Sequence, residues 1–214
     1  MSKKEDLDKE LLAAAIAGKA DVVDKCADKG ANFDMQDAAE RSALWHTAAR
    51  GDIDTMLVLM KHGAATNTPD REGITPLGAA VTGKKWQAAE QLLEQADINA
   101  RAGEKELTVL HSALWVDLRD EKVSRVQFLM ERWADASVKD ASGKSPYEHA
   151  QDLAARFPFA QKLLDLIEEY KDGPVARQQY LDRKRDDGIK AALQGTTADI
   201  AAPAIARWKP KPVR

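Results

Sequence analysis

Apolar side chains recur through the first 170 residues in paired segments, each long enough for two or three helical turns. A Ser or Thr precedes a first segment that is rich in small apolar residues. A second segment follows and ends in two large apolar residues, such as Leu59-Met60 and Leu92-Leu93. The helical spacing predicts antiparallel helix pairs. One pair cannot bury both of its faces, so we expect neighbouring pairs to stack.

The paired pattern repeats at a fixed interval. Three of its starts lie 33 residues apart, and a fourth begins 37 residues later. These starts are Ser42, Thr75, Thr108 and Ser145. Counting 33 residues back from Ser42 reaches Lys9, so we expect five units. We place the four additional residues of the fourth unit within 117–121, a polar stretch between two helical patterns.

The boundaries of each unit have physical causes. A Ser or Thr at a helix start accepts a hydrogen bond from the first N–H groups, and Pro76 and Pro146 follow where no donor is needed. Gly30 and Gly63 end second helices in a left-handed turn, which residues with a Cβ adopt at a cost of about 1 kcal/mol or more. The chain reverses between successive units in an extended loop, here called a finger, and each of three fingers carries an aspartate of the kind that favours tight turns. These are Asp37, Asp70 and Asp140.

A 33-residue period with a T-P-L-H-like start and a G-A-D-like end resembles the ankyrin repeat family. The starts include Thr75-Pro76-Leu77-Gly78 and Thr108-Val109-Leu110-His111, and the ends include His62-Gly63-Ala64 and Trp133-Ala134-Asp135. The resemblance covers residues 5–170. It implies an all-α ankyrin-repeat solenoid of about five helix-turn-helix units with a C-terminal extension.

We expect an ankyrin repeat domain over residues 1–172 and a C-terminal extension over 173–214 that is partly helical and then extended. The expected repeats lie near 5–37, 38–70, 71–103, 104–140 and 141–170, and the outer two serve as caps.

The sequence departs from the repeat pattern at two places. Trp133 replaces the turn glycine of the fourth unit, and we expect that turn to be rebuilt because a bulky residue with positive φ is strained. Residues 157–159, Phe-Pro-Phe, interrupt the last helix pair and mark a terminal cap.

Composition limits the class of protein. The chain has 214 residues, of which 44% are apolar and 31% charged, as in a globular protein. Its longest apolar run, residues 11–17, is far shorter than the roughly 20 residues of a membrane-spanning helix. Acidic residues directly after Lys4 are incompatible with a signal peptide. We therefore expect a cytoplasmic protein with no membrane partner.

Candidate chemistry is sparse. Cys26 is the single cysteine, and at an apolar position of the first unit it is expected to be a buried, inert thiol. The four histidines lie in different repeats or faces, and no two have the helical spacing that places both on one metal ion. The resemblance implies that His111, in the T-P-L-H position, ties loop to helix. Gly143-Lys144-Ser145 lacks the other features of a phosphate loop. We expect no enzyme, no metal and no cofactor.

The resemblance implies binding of another protein by the concave face, which finger tips and exposed first-helix positions line. Carried over one by one, these positions are Gln36, Arg41, Arg50, Arg71, Glu72, Ile74, Lys105, Leu107, Trp115, Val116 and Asp152. We expect Trp115 and Arg50 at the centre, because interface energy concentrates in Trp, Tyr and Arg. The alternative for Trp115 is packing against residues 117–121.

The C-terminal extension differs from the body in charge. Residues 171–214 carry ten Lys and Arg against five Asp, whereas residues 1–170 have a net charge of −8. Trp208 and Lys209 lie in its basic, Pro-rich end. Our first expectation is that this end packs on the acidic body; binding to a partner is the alternative. Four terminal charges are weak evidence for nucleic-acid binding.

The expected function is non-enzymatic protein binding, with the protein acting as an inhibitor, immunity or adaptor protein. The first alternative is a secreted bacterial-type effector that binds host proteins with the same surface. An enzyme based on the C-terminal extension is a further alternative, which the lack of a paired acid and base there disfavours. A nucleic-acid binder based on the same extension is another.

Overall fold

The computed structural model describes residues 3–173, and the C-terminal extension with Trp208 and Lys209 lies outside these residues. The described part contains ten α-helices: α1 Lys3–Ala17, α2 Ala20–Asp28, α3 Ala43–Arg50, α4 Ile53–Lys61, α5 Pro76–Thr82, α6 Trp86–Leu92, α7 Val109–Asp120, α8 Ser124–Met130, α9 Pro146–Ala154 and α10 Ala160–Tyr170. Consecutive helices pack as five pairs, here called repeats one to five, and each pair packs on the next. The expected all-helical solenoid is confirmed. None of the described helices is long and apolar enough to cross a membrane.

The first helices begin where the sequence predicts. The Ser42 hydroxyl accepts a hydrogen bond from the Trp45 N–H at 3.2 Å, and the Thr75 hydroxyl accepts one from the Gly78 N–H at 3.1 Å. Ser145 caps α9 in the same way. Each cap satisfies an N–H group that has no partner within its helix. The repeated Ser or Thr therefore fixes the start of α3, α5 and α9.

Two rows of buried side chains form the core. The first helices contribute leucines 33 residues apart, Leu11, Leu44, Leu77 and Leu110, each at most 1% exposed. The second helices contribute Cys26, Leu59, Leu92 and Leu129, also at most 1% exposed. Cys26 thus occupies a leucine position. The expected burial of Cys26 is confirmed, and burial raises the pKa of its thiol.

The turn at Trp133 is not rebuilt, so that expectation was wrong. Gly63 has φ 84°, and the N–H groups of Gly63 and Ala64 each donate to a carbonyl of α4 at 3.1 Å. Trp133 has φ 64°, and the N–H groups of Trp133 and Ala134 donate to α8 at the same distances. The two backbone hydrogen bonds hold the tryptophan in a conformation that costs about 1–2 kcal/mol.

The additional residues of repeat four are helical, which corrects the expectation of a polar stretch between helices. Helix α7 has 12 residues, whereas α3 has 8 and α5 has 7. The residue that follows α7 is Glu121, whose φ of 51° matches the left-handed turn at Gly51 with φ 75°. Four residues are close to one helical turn of 3.6 residues. The insertion therefore lengthens α7 by one turn and leaves the following turn in place.

The added turn is polar because it faces a buried charge. Asp117 is fully buried, and its carboxylate accepts hydrogen bonds from the N–H groups of Arg125 at 2.7 Å and Val126 at 2.9 Å, at the start of α8. The Arg125 guanidinium donates to the Asp117 carboxylate at 2.9 Å and to the Thr82 carbonyl at 3.1 Å. Asp117 and Arg125 therefore fasten the added turn to α8 and to repeat three.

Candidate functional site

Arg50, expected at the centre of the binding face, is held by repeat one. Its guanidinium donates to the carbonyl of Ala15 at 2.9 Å and to that of Ile16, and it pairs with Asp52 at 2.8 Å. The carbonyls belong to the last turn of α1, which lacks internal donors. Arg50 thus caps α1 from the neighbouring repeat.

Hydrogen bonds join the finger-tip residues of repeats two and three. The Gln36 side chain donates to the carbonyls of Glu40 and, at 3.3 Å, Pro69. Arg71 donates to the Ala38 carbonyl at 2.6 Å and pairs with the Glu40 carboxylate at 3.3 Å. Gln36 and Arg71 therefore set the spacing of adjacent fingers, although Arg71 keeps 67% of its side chain exposed.

Arg41 and Ile74 also contribute to contacts between repeats. The Arg41 guanidinium lies 4.3 Å from the centre of the Trp45 ring and 3.5 Å from the Asp70 carboxylate. The Trp45 indole N–H donates to the Ile74 carbonyl at 3.0 Å, across repeats two and three. Trp45 is half-buried.

The remaining predicted contact residues differ in exposure. Glu72 and Lys105 are exposed, whereas Leu107 and Val116 are half-buried. Asp152 is exposed and pairs with Lys144. Of all the predicted binding residues in the described part of the chain, only Trp115 lines the groove described next.

A groove of about 680 Å³ opens between repeats four and five. The end of α7 forms one side with Trp115, Leu118, Arg119 and Glu121. The α9–α10 junction and the first turn of α10 form the other with Phe157, Pro158, Phe159 and Lys162. The groove therefore lies where the added turn of α7 meets the Phe-Pro-Phe interruption.

The groove exposes large apolar side chains. Trp115 is 44% exposed and Phe157 is 48% exposed. They are two of the four exposed large apolar side chains in residues 3–173, and the others are Ile16 and Leu57. The Trp115 and His149 rings meet edge to face, with ring centres 6.0 Å apart. Trp115 is thus fixed by repeat five and still presents almost half of its surface.

Charged groups of both signs lie at the groove. Arg119 pairs with Asp120 at 3.1 Å, and the Lys162 ammonium lies 5.3 Å from the centre of the Phe159 ring. Within the described residues, neither Lys162 nor Glu121 forms an ion pair. An apolar centre with a charged rim is the usual anatomy of a protein-binding patch.

His111 ties its helix to the next finger, as expected. Its Nδ1 accepts a hydrogen bond from the Thr108 N–H at 3.1 Å, so Nε2 carries the proton and donates to the Lys144 carbonyl at 3.3 Å. Burial lowers the pKa of His111, because a charged imidazole would lose its hydration.

Two Asp–His pairs occupy the same register in repeats two and five. His46 contacts the Asp37 carboxylate at 2.8 Å, and His149 contacts the Asp140 carboxylate at 2.9 Å. Burial opposes the charge on Asp140, but hydrogen bonds from Ser142, His149 and Lys144 outweigh it and hold the carboxyl pKa well below its usual range.

The His111 and His149 rings lie 5.6 Å apart and meet edge to face. Sequence reasoning missed this contact, because it considered only histidines spaced along one helix. The signal was available in the repeat register: His111 is the third residue after its cap and His149 the fourth after the next cap. Stacking of successive repeats places such positions side by side.

Comparison with known proteins gives one family. Residues 11–102 match the family described as ankyrin repeats (3 copies). The human protein named Ankyrin repeat and SOCS box protein 16 is 35% identical over 104 residues, which are 48% of this chain and 23% of that protein. The Gallus gallus protein named Nuclear factor NF-kappa-B p105 subunit is 28% identical over 200 residues, 88% of this chain and 20% of that protein. The chain therefore spans about a fifth of the length of these relatives.

Proposed function

Because the chain belongs to the ankyrin repeat family, whose repeats are in general protein–protein interaction modules, we propose that it is a non-enzymatic module that binds another protein. The groove between repeats four and five is the proposed centre of the binding surface. The observation that carries this proposal is the pairing of two exposed aromatic side chains, Trp115 and Phe157, on opposite sides of one groove.

The chemistry of the groove favours a protein as its ligand. A large apolar side chain of a partner could enter between Trp115 and Phe157 and remove both from water. Tryptophan at a desolvated centre is typical of residues that carry most of an interface's binding energy. Lys162 and Glu121 at the rim supply charges that select the partner's orientation rather than the bulk of the affinity.

The proposed surface extends from the groove along the exposed Glu72, Lys105 and Asp152 and the half-buried Val116. Gln36, Arg41, Arg50 and Arg71 support it by fixing the spacing of the repeats, and Ile74 and Leu107 lie half-buried beneath it. We propose that such binding covers the working surface of a cytoplasmic partner, in the manner of an inhibitor, immunity or adaptor protein.

The test is a comparison of three immobilised baits in a native lysate: the wild-type protein, Trp115→Ala and Leu57→Ala. Leu57 is a matched control, because it is 42% exposed but lies on α4, away from the groove. We expect quantitative mass spectrometry to find a partner that wild type and Leu57→Ala retain equally. Trp115→Ala should retain it roughly 30-fold less, since a hot-spot truncation costs about 2 kcal/mol or more.

The melting temperature of each bait controls for folding. A folded Trp115→Ala bait that retains every wild-type partner would contradict the proposed groove. It would leave the general assignment of protein binding, which rests on the family, unaffected.

A further inference from the structure

The structure brings together His111, Asp140 and His149 at the junction of repeats four and five. One ligand atom of each lies within 4.8 Å of the other two. His111 is fully buried, and the side chains of His149 and Asp140 are 18% and 7% exposed. In residues 3–173 this is the one group of three or more His, Cys, Asp or Glu side chains so arranged. We propose that these three residues form a Zn²⁺ site; the proposal does not rest on the proposed function, although His149 also contacts Trp115 of the groove.

The donor set has the chemistry that zinc prefers. Two imidazoles and one carboxylate are common zinc ligands, with bonds of about 2.0–2.2 Å. His111 is fully buried, so a metal ion bound there would be shielded from water on that side. Asp140 is held in place, because one of its oxygens accepts hydrogen bonds from the N–H groups of Ser142 and Lys144 at 2.8 Å and 3.1 Å. Its other oxygen faces His149 at 2.9 Å.

Zinc binding requires two small rearrangements. Ligand atoms around a tetrahedral ion are about 3.3 Å apart, so ligand atoms that lie up to 4.8 Å apart must approach by up to about 1.5 Å. His111 must also carry its proton on Nδ1, so that Nε2, which faces the finger of Asp140, can bind the metal. This change removes the hydrogen bonds that Nδ1 accepts from the Thr108 N–H and that Nε2 donates to the Lys144 carbonyl, and the Thr108 hydroxyl oxygen, 2.9 Å from Nδ1, accepts the proton instead. Such a partner orients a ligating histidine.

Repeat two supplies a control within the chain. The Asp37–His46 pair has the same register as Asp140–His149, with a contact of 2.8 Å. The residue of repeat one that corresponds to His111 is Leu12, three residues after Lys9. An Asp–His pair without a third ligand is the arrangement expected of an ordinary structural hydrogen bond.

The experiment is titration of the untagged, full-length protein with ZnCl₂ by isothermal calorimetry, with His149→Gln and His46→Gln as the paired variants. We expect one Zn²⁺ per chain for wild type and for His46→Gln, and affinity at least about tenfold weaker for His149→Gln. Zinc should raise the melting temperature of the first two proteins only. No binding by wild type, or equal binding by all three, would overturn the proposal.

A second measurement covers the case in which His149→Gln does not fold. Co²⁺ substituted for Zn²⁺ in wild type and in His46→Gln should give the visible absorption of a tetrahedral ion. A spectrum of hexa-aqua Co²⁺ in both proteins would contradict the site.

Discussion

The regular and irregular parts of the solenoid differ in how they use their polar and aromatic residues. In repeats one to three, the part that the ankyrin family model matches, exposed cations such as Arg50 and Arg71 donate to carbonyls of the neighbouring repeat. In repeats four and five, an added helical turn and a Phe-Pro-Phe junction leave Trp115 and Phe157 exposed in a groove. Periodicity therefore provides the scaffold, and departures from it provide the candidate recognition surface.

The two parts also fasten adjacent repeats differently. Arg50 reaches the end of α1 with 39% of its side chain exposed, whereas Arg125 reaches the end of α5 with 6% exposed and a buried carboxylate beside it. An exposed ion pair contributes little to stability, but a buried charge that loses its partner costs several kcal/mol. The irregular part should therefore be far more sensitive to loss of one charge.

Asp117→Ala should give the largest effect, a loss of about 3–5 kcal/mol in the free energy of unfolding. The buried Arg125 would keep only the partly exposed Asp120 as an ion-pair partner, at 3.1 Å, and the N–H groups of Arg125 and Val126 would lose their acceptor. Asp52→Ala is the control. Asp52 also caps a second helix, accepting from the Thr55 N–H at 3.2 Å, but its side chain is 21% exposed, so we expect a loss of about 1 kcal/mol. Urea denaturation measures both. Equal losses would mean that the buried pair has no special role.

Leu44→Ala tests the periodic core. Leu44 is fully buried, so its truncation should cost about 2–5 kcal/mol through lost burial and a residual cavity. Leu57→Ala, at 42% exposure, should cost less than about 1 kcal/mol. A loss below about 1 kcal/mol for Leu44→Ala, again by urea denaturation, would contradict the repeat register.

Gly103→Ala tests the boundary between the two parts, where the fingers of repeats three and four touch. A Cβ on Gly103 would lie 2.7 Å from the Gly73 Cα, and the φ of Gly103 is 70°. We expect a loss of about 1–3 kcal/mol from backbone strain. Gly143→Ala, with φ 81° and no atom within 4 Å of its Cβ, carries only the left-handed cost of about 1 kcal/mol. If the Gly143 variant is the less stable in thermal melts, finger contact is not the cause.

The periodic part of this fold is predictable from sequence, because each unit repeats the same local physics. A 33-residue interval places Leu11, Leu44, Leu77 and Leu110 in one buried row, as observed. Trp133 shows where a single-residue rule fails. Its left-handed strain is real, but two backbone hydrogen bonds outweigh it.

The groove was only partly predictable. The sequence shows the longer interval of 37 residues, in place of 33, and the Phe-Pro-Phe interruption at 157–159. Trp115 was identified from its position on a first helix. Residues 117–120 continue α7 because Asp117 pairs with the buried Arg125. The spacing of residues along the sequence does not reveal this contact. For the same reason Phe157 and Lys162 were missed, since only stacking brings them beside α7.

The central claim is that the groove between repeats four and five binds the partner. Photo-crosslinking tests it most directly, with benzoylphenylalanine placed at Phe157 in one variant and at the similarly exposed Leu57 in another. We predict that irradiation joins a captured partner to the Phe157 variant and leaves the Leu57 variant unlinked. Cross-linking at Leu57 with none at Phe157 would contradict the claim.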